Sequence, residues 1–227
     1  GVVLLKNDNN TLPLNVPEGG KILLVGENVV KKMVVGGGSS NLKTAYEVNP
    51  LQGLQNAYGD KVEIVWERGY VGDTSTSYNR VNTGQDLSDS RTPEQLIAAA
   101  VEAAKDADYV IFVGGLNKSK YQDNEGTDRR QITLPYGQED VIIALSKVAK
   151  KLVVVNISGS PVAMPWADEA DAIVQGWYGG TESGNALADV LTGKVNPSGR
   201  LPFTVPFRYE DGPIKTEAQY PGIKEEG

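Results

Sequence analysis

The 227-residue sequence contains neither histidine nor cysteine. These two absences exclude a Ser-His-Asp triad, a Cys-His pair, a thiol redox centre and the usual zinc sites built from His and Cys. Aromatic residues are few, at 7%, and the longest apolar segments have only the length of a β-strand, so we expect no membrane span. Any chemistry must come from carboxylates, amides, hydroxyls, Lys, Arg or the backbone, and we expect neither a metal ion nor an organic cofactor.

Positive charge is scarce relative to negative charge. The chain has 22 Lys and Arg against 29 Asp and Glu, which gives a net charge of −7. A surface of this sign repels phosphate backbones, so we expect no nucleic-acid partner. The hydrophobic fraction of 40% and the charged fraction of 22% are typical of a packed globular protein. The sequence opens on an apolar run without an initiator Met, and we expect it to be part of a longer polypeptide.

Short apolar, β-branched segments alternate with helical patterns along the chain. The clearest helix is predicted after Thr92, an N-cap residue followed by Pro93 and by Gln95 at the capping-box position. Strands that are apolar on both faces and alternate with helices indicate a largely parallel sheet with helices on both sides. We therefore predict an α/β fold, an open three-layer α/β sandwich with a mostly parallel sheet of about five or six strands and flavodoxin-like topology. The predicted strands are residues 21–26, 61–66, 108–113, 151–157 and 170–174, and further helices are predicted over residues 49–58, from near residue 135, and over residues 184–191.

The loop after the strand at residues 108–113 concentrates polar side chains. Residues 115–130 contain a carboxylate between Asn and Gly, an Asp-Arg pair, an aromatic ring and several amides. A general acid needs a carboxyl group that keeps its proton, which a loop that excludes water can provide, and sugar sites combine hydrogen-bonding side chains with aromatic faces. The same composition is also typical of a solvated surface loop. In such a loop, an Asp-Arg pair usually forms an ion pair that stabilises the loop itself.

A second candidate is the glycine-rich stretch at residues 36–40. A phosphate-binding loop would lie directly between a strand and a helix and continue into Gly-Lys-Ser/Thr. This stretch begins ten residues past Gly26 and lacks that continuation, which argues against a nucleotide-dependent Rossmann-type enzyme. Residues 36–40 are therefore interpreted either as a flexible turn or as a loop whose backbone closely approaches a ligand or another domain.

Several segments, in order along the chain, resemble the C-terminal α/β sandwich domain of glycoside hydrolase family 3. Glu125-Gly126-Thr127-Asp128-Arg129, followed by Leu134-Pro135 and Gln138, is similar to the Glu-Gly-x-Asp-Arg … Leu-Pro … Gln motif of the family. Residues 104–116 resemble the strand before its catalytic loop, and residues 36–40 its Gly-Gly-Gly/Ser-Ser loop. Further similar segments are residues 2–7, 12–14, 21–26, 176–184 and 193–202.

The resemblance implies a retaining exo-β-glycosidase, β-glucosidase-like, that acts on terminal non-reducing β-D-glycosyl residues. In this family the nucleophile is an Asp on a preceding (β/α)8-type barrel, outside this chain, and the acid/base is commonly a Glu on a loop of the second domain. A retaining pair places its carboxyl groups roughly 5–5.5 Å apart, which two domains can achieve together. The resemblance implies Glu125 as the general acid/base, with Asp123 as the alternative.

Other residues of the two loops are expected to bind substrate or to shape the loop: Asp128, Arg129, Asn117, Tyr121, Gly37, Gly38 and Ser39. The aromatic faces of Tyr121 and Trp177 are candidates for stacking on sugar or for packing between domains.

The resemblance also divides the chain and suggests its partners. It implies a linker from the barrel at residues 1–20, the α/β sandwich domain at residues 21–207, and a C-terminal linker at residues 208–227. The expected partners are a carbohydrate substrate and the N-terminal barrel of the same polypeptide, and the expected location is periplasmic or extracellular in a bacterium. The isolated chain is expected to be inactive. The alternative function is a non-catalytic sugar-binding or structural α/β module.

Overall fold

The computed structural model describes residues 1–34, 42–72, 77–78, 81–127, 129–216 and 218–219. Its main feature is a six-stranded sheet, accompanied by a separate two-stranded hairpin. The sheet strands are β1 (Val3–Asn7), β2 (Lys21–Val25), β3 (Glu63–Glu67), β6 (Tyr109–Gly115), β7 (Leu152–Ile157) and β8 (Ala172–Gln175), and the hairpin strands are β4 (Ser77–Tyr78) and β5 (Val81–Asn82). The helices are α1 (Pro50–Tyr58), α2 (Pro93–Ala104), α3 (Gln138–Ser146) and α4 (Ser183–Leu191). Among the described residues, none of these helices has both the length and the apolar composition that crossing a membrane requires.

The strands lie in the order β1-β8-β7-β6-β2-β3. All neighbours pair in parallel except β1, which runs antiparallel to β8. Counted along the chain, the five parallel strands have the order 2-1-3-4-5, which is the flavodoxin-like order. The prediction of a mostly parallel α/β sandwich of five or six strands is confirmed.

The central strand β6 shows how the two outer layers form. Its side chains alternate between the faces of the sheet because successive residues of a strand point in opposite directions. Val110 and Phe112 lie in a buried cluster with residues of α2 and α3, whereas Ile111 and Val113 lie in a second cluster with residues of α1 and α4. The sheet is therefore covered on both faces, as its continuous apolar strands require.

Helix α2 begins as predicted. The Thr92 hydroxyl accepts from Gln95 N, and the Gln95 side chain accepts from Thr92 N. Helix α3, predicted from near Pro135, begins at Gln138. Tyr136 and Gly137 have positive φ angles of 64° and 69°, so the backbone turns here before the helix starts.

The edge strand β1 lies inside residues 1–20, which the sequence analysis assigned to a linker. Val3 is buried at 6% exposure, and Asp8 N donates to Asp171 O at 2.8 Å, which extends the contact with the segment before β8. The apolar run at the start of the chain thus completes the sheet at this edge.

Candidate active site

The loop after β6 emerges at the carboxyl edge of the sheet, beside the end of β2. The chain turns to one side of β2 to form β3 and then crosses to the other side to form β6, so a crevice forms between the ends of these strands. Asn28, buried just after β2, donates from Nδ2 to Leu116 O at 3.1 Å. This bond fastens the start of the loop to the neighbouring strand end.

Gln138 closes the loop at its base. Its side-chain Oε1 accepts from Gly115 N at 2.7 Å, and its Nε2 donates to Gly115 O at 2.8 Å, with the side chain only 1% exposed. Gly115 has a φ of +116°, and a Cβ there would lie 2.2 Å from Ile157 O, so only glycine fits. The two ends of the loop of residues 116–137 are thus held together by the two hydrogen bonds between the Gln138 side-chain amide and the Gly115 backbone.

The interior of the loop is built on Asn117 and Gln122, both buried. Asn117 N donates to Gln122 Oε1 at 2.9 Å, Asn117 Oδ1 accepts from Ser119 N at 2.7 Å, and Gln122 Nε2 donates to Tyr136 OH at 2.6 Å. Of the two roles that sequence analysis allowed for Asn117, these contacts correspond to shaping the loop.

Asp123 is surrounded by donors from two other loops. Its Oδ2 accepts from Gly159 N at 2.7 Å and from Tyr178 OH at 3.0 Å, and its Oδ1 accepts from Ser160 Oγ at 2.5 Å. Gly159 and Ser160 follow β7, and Tyr178 follows β8. The carboxylate therefore joins the loop after β6 to the next two strand ends.

Glu125 lies at the tip of a four-residue turn. Asn124 and Thr127 pair as an antiparallel bridge, and the Thr127 hydroxyl donates to Asn124 Oδ1 at 2.5 Å and accepts from Tyr121 N at 3.0 Å. The Glu125 side chain is exposed and forms no hydrogen bond or ion pair with the residues that the structure describes.

Arg129 and Tyr121 flank the turn. Arg129 is partly buried and donates from Nη2 to Pro161 O, and burial lowers the pKa of its guanidinium while the charge of Asp123 opposes that shift. Tyr121 is 39% exposed, with Lys120 Nζ 4.8 Å and Arg130 Cζ 4.1 Å from its ring centroid. The hydrogen bond from Lys120 is the main cause of a lowered Tyr121 pKa. Tyr121 contacts the loop itself, whereas Arg129 joins the loop to the segment after β7.

The other candidates lie elsewhere or outside the described residues. Trp177 donates from Nε1 to Gly1 O at 3.0 Å and packs edge-to-face on Phe203, with ring centroids 5.6 Å apart, so it holds the start of the chain. Four predicted site residues fall outside the described part of the structure: Gly37, Gly38, Ser39 and Asp128.

Sequence reasoning missed the residues that hold the loop in place. Gly159, Ser160 and Tyr178 lie 36, 37 and 55 positions after Asp123, and no local pattern relates them to it. Gln138 stands in the motif that carried the family resemblance, but its bonds to Gly115 appear only once the two segments meet.

Comparisons with known proteins agree on one family. The model of the glycosyl hydrolase family 3 C-terminal domain matches residues 2–226. Beta-glucosidase BoGH3A of Bacteroides ovatus is 45% identical over 98% of this chain, which covers 30% of that protein. The periplasmic beta-glucosidase of Salmonella typhimurium is 40% identical over 90% of this chain and is covered over 27% of its own length. The crystal structure of a GH3 beta-glucosidase from Bifidobacterium adolescentis superposes with a TM-score of 0.77 at 33% identity, over 98% of this chain and 29% of that one.

Proposed function

The chain belongs to the glycosyl hydrolase family 3 C-terminal domain family, and from this premise we propose that it is the second domain of a retaining exo-β-glycosidase. The proposed reaction is the hydrolysis of terminal non-reducing β-D-glycosyl residues at an active site shared with a (β/α)8-type barrel. The relatives named β-glucosidases support this proposal, and the chain spans less than a third of the length of those reported above. The proposed division keeps residues 1–20 as the linker from the barrel, whose strand β1 completes the sheet, residues 21–207 as the sandwich domain and residues 208–227 as a C-terminal linker.

In this mechanism Glu125 is the general acid/base. Its carboxyl group first protonates the departing glycosidic oxygen while a carboxylate of the barrel attacks the anomeric carbon. It then removes a proton from the water that hydrolyses the glycosyl-enzyme intermediate. The task of this chain is to hold one carboxyl group above a sugar that the other domain binds.

The observation that carries the assignment is the contrast between two nearby carboxylates. Glu125 stands exposed at the tip of a turn closed by the bridge between Asn124 and Thr127, whereas Asp123 already accepts three hydrogen bonds from its own domain. A group that must give and take a proton on substrate needs a free oxygen within reach of it. The exposure of Glu125 supports this role, whereas both oxygens of Asp123 are already bonded within the domain.

The test is a Glu125→Ala substitution in the full-length enzyme. We expect kcat/KM for phenyl β-D-glucoside to fall by about 10²- to 10⁴-fold, the usual contribution of a positioned general acid. Glu102→Ala is the matched control, because that carboxylate is exposed on α2 and pairs with Lys105, near the opposite edge of the sheet. Turnover of Glu125→Ala equal to that of the control contradicts the assignment and favours a non-catalytic module.

A periplasmic or extracellular location is part of the proposal. It is supported by the relative in Salmonella typhimurium that is named a periplasmic β-glucosidase. Cell fractionation of the source organism, with activity and antibody detection, tests it.

A further inference from the structure

We propose that Asp123 is a positioning residue that fixes the place of Glu125 by binding the loop after β6 to the loops after β7 and β8. The inference rests on the proposed function, because it concerns the site of the same proton donor. It assigns to Asp123 a role in the reaction that is exerted through another side chain.

The anchor to which Asp123 binds rests on a layer of buried hydrogen bonds. Asn156 Nδ2 donates to Ser158 Oγ at 3.0 Å and to Gln175 Oε1 at 2.7 Å, and Gln175 Nε2 donates to Ser158 O at 2.9 Å. All three side chains are 1% exposed. These bonds join the ends of β7 and β8, although Asn156 Oδ1 has no hydrogen-bond partner among the described residues. The backbone that presents Gly159 N and Ser160 Oγ to Asp123 continues directly from this buried, hydrogen-bonded layer.

The path from this anchor to the proton donor is short. Asp123 N donates to Asn117 O at 3.0 Å, so the residue is held through its backbone as well as its side chain. Asn124 follows and forms the base of the turn by its bridge to Thr127, and Glu125 is next. With only one residue between anchor and tip, a displacement of Asp123 is passed on to Glu125.

A carboxylate is the side chain that these surroundings require. Three donors converge on Asp123, and an ionised carboxylate is an acceptor at both oxygens. Asn has one acceptor oxygen, and its NH2 group can at best donate to the Ser160 hydroxyl, so weaker neutral hydrogen bonds replace those of the ionised carboxylate. Asp123→Asn therefore weakens the anchor, whereas the bonds of Gln138 and Asn117 still hold the loop.

The dependence on the leaving group separates positioning from a general structural effect. Phenol is a poor leaving group and needs a proton, whereas 2,4-dinitrophenolate departs without one. The value of kcat/KM covers the steps up to the first bond cleavage, so it reports the acid role alone. A misplaced Glu125 should impair cleavage of the phenyl glucoside selectively.

The experiment measures kcat/KM of full-length Asp123→Asn with both glucosides. We expect a loss of about 10- to 100-fold with phenyl β-D-glucoside and of no more than about threefold with 2,4-dinitrophenyl β-D-glucoside. Tyr178→Phe and Ser160→Ala each remove one donor and should give smaller losses with the same selectivity. These two variants also keep the test decisive where Asp123→Asn does not fold.

A double-mutant cycle with Glu125→Ala identifies the residue through which Asp123 acts. In the Glu125→Ala background, Asp123→Asn should cause no further loss with phenyl β-D-glucoside, because the group that it positions is gone. Equal losses with both glucosides, or a loss that persists in that background, overturn the inference. Unchanged turnover of Glu125→Ala by itself is a different result, which refutes the proposed function and not merely the role of Asp123.

Discussion

Asp123 and Glu125 occupy one loop, two residues apart, in opposite surroundings. The family motif in the sequence favours Glu125 over Asp123, but the sequence does not predict their different surroundings, since the donors of Asp123 come from segments after β7 and β8. What the sequence does predict is the loop that carries them, because it follows an apolar strand and is rich in polar residues. The distinction between the two carboxylates depends on tertiary contacts.

Glu27 is a buried charge that the sequence analysis did not identify. Just after β2, its Oε1 accepts from Lys31 Nζ at 2.8 Å, and its Oε2 accepts from Arg68 Nη2 at 3.0 Å and from Gly72 N at 2.9 Å. The side chains of all three charged residues are at most 7% exposed. This cluster fastens the start of the chain segment after β3 to the end of β2, beneath the crevice.

Glu27→Ala should destabilise the domain severely. It leaves Lys31 and Arg68 buried without the Glu27 carboxylate, and loss of one partner of a buried pair costs about 3–5 kcal/mol. Urea unfolding of the 227-residue chain measures the change. Glu63→Ala is the control, because Glu63 lies 3.9 Å from Lys21 with 61% of its side chain exposed, and it should cost less than about 1 kcal/mol. Equal losses in the free energy of unfolding for the two variants would show that the buried Glu27 cluster stabilises the domain no more than an exposed ion pair does.

At the scale of elements, the predictions succeed where a pattern is local. The parallel strands and α2 follow from apolar runs, alternation and a capping box, all of which can be recognised within a few residues. Strand β1 was missed because its place depends on antiparallel pairing with β8, more than 160 residues away. The hairpin of β4 and β5 was missed because it lies in a polar segment without the alternation that marks a strand.

Helices α1 and α4 pack through two glycines. A Cβ on Gly53 would lie 2.0 Å from Gly184 O, and a Cβ on Gly184 would lie 2.0 Å from Asn49 O. Both contacts are with backbone, which cannot move away as a side-chain end can. The close approach of these helices therefore depends on the absence of side chains at both positions.

Gly184→Ala should destabilise the chain even though alanine favours a helix. Overpacking costs about 1–3 kcal/mol, which exceeds the roughly 1 kcal/mol gained in helix propensity when the contact is with backbone. Thermal unfolding followed by circular dichroism measures the change in midpoint. Gln55→Ala, on the exposed side of α1, should change stability by no more than about 0.5 kcal/mol. A midpoint of Gly184→Ala equal to or above that of the unsubstituted chain would contradict this packing.

At the scale of the whole molecule, the chain supplies one side of the proposed active site. Its sheet brings the loops after β6, β7 and β8 to one edge, and the exposed Glu125 stands on the first of them. The sequence predicts this edge, because ligands of parallel sheets favour the carboxyl ends of the strands. It cannot predict the geometry of the reacting pair, because in the proposed mechanism the nucleophile belongs to the barrel.

The central claim is that Glu125 provides the proton, and azide tests it most directly. In full-length Glu125→Ala, azide can attack the glycosyl-enzyme without help from a general base, so it replaces the missing function. With 2,4-dinitrophenyl β-D-glucoside, we expect azide to raise turnover and to yield β-D-glucosyl azide, identified by nuclear magnetic resonance. The isolated 227-residue chain should yield no product with or without azide. Unimpaired turnover of Glu125→Ala, with no acceleration and no glucosyl azide, would contradict the account.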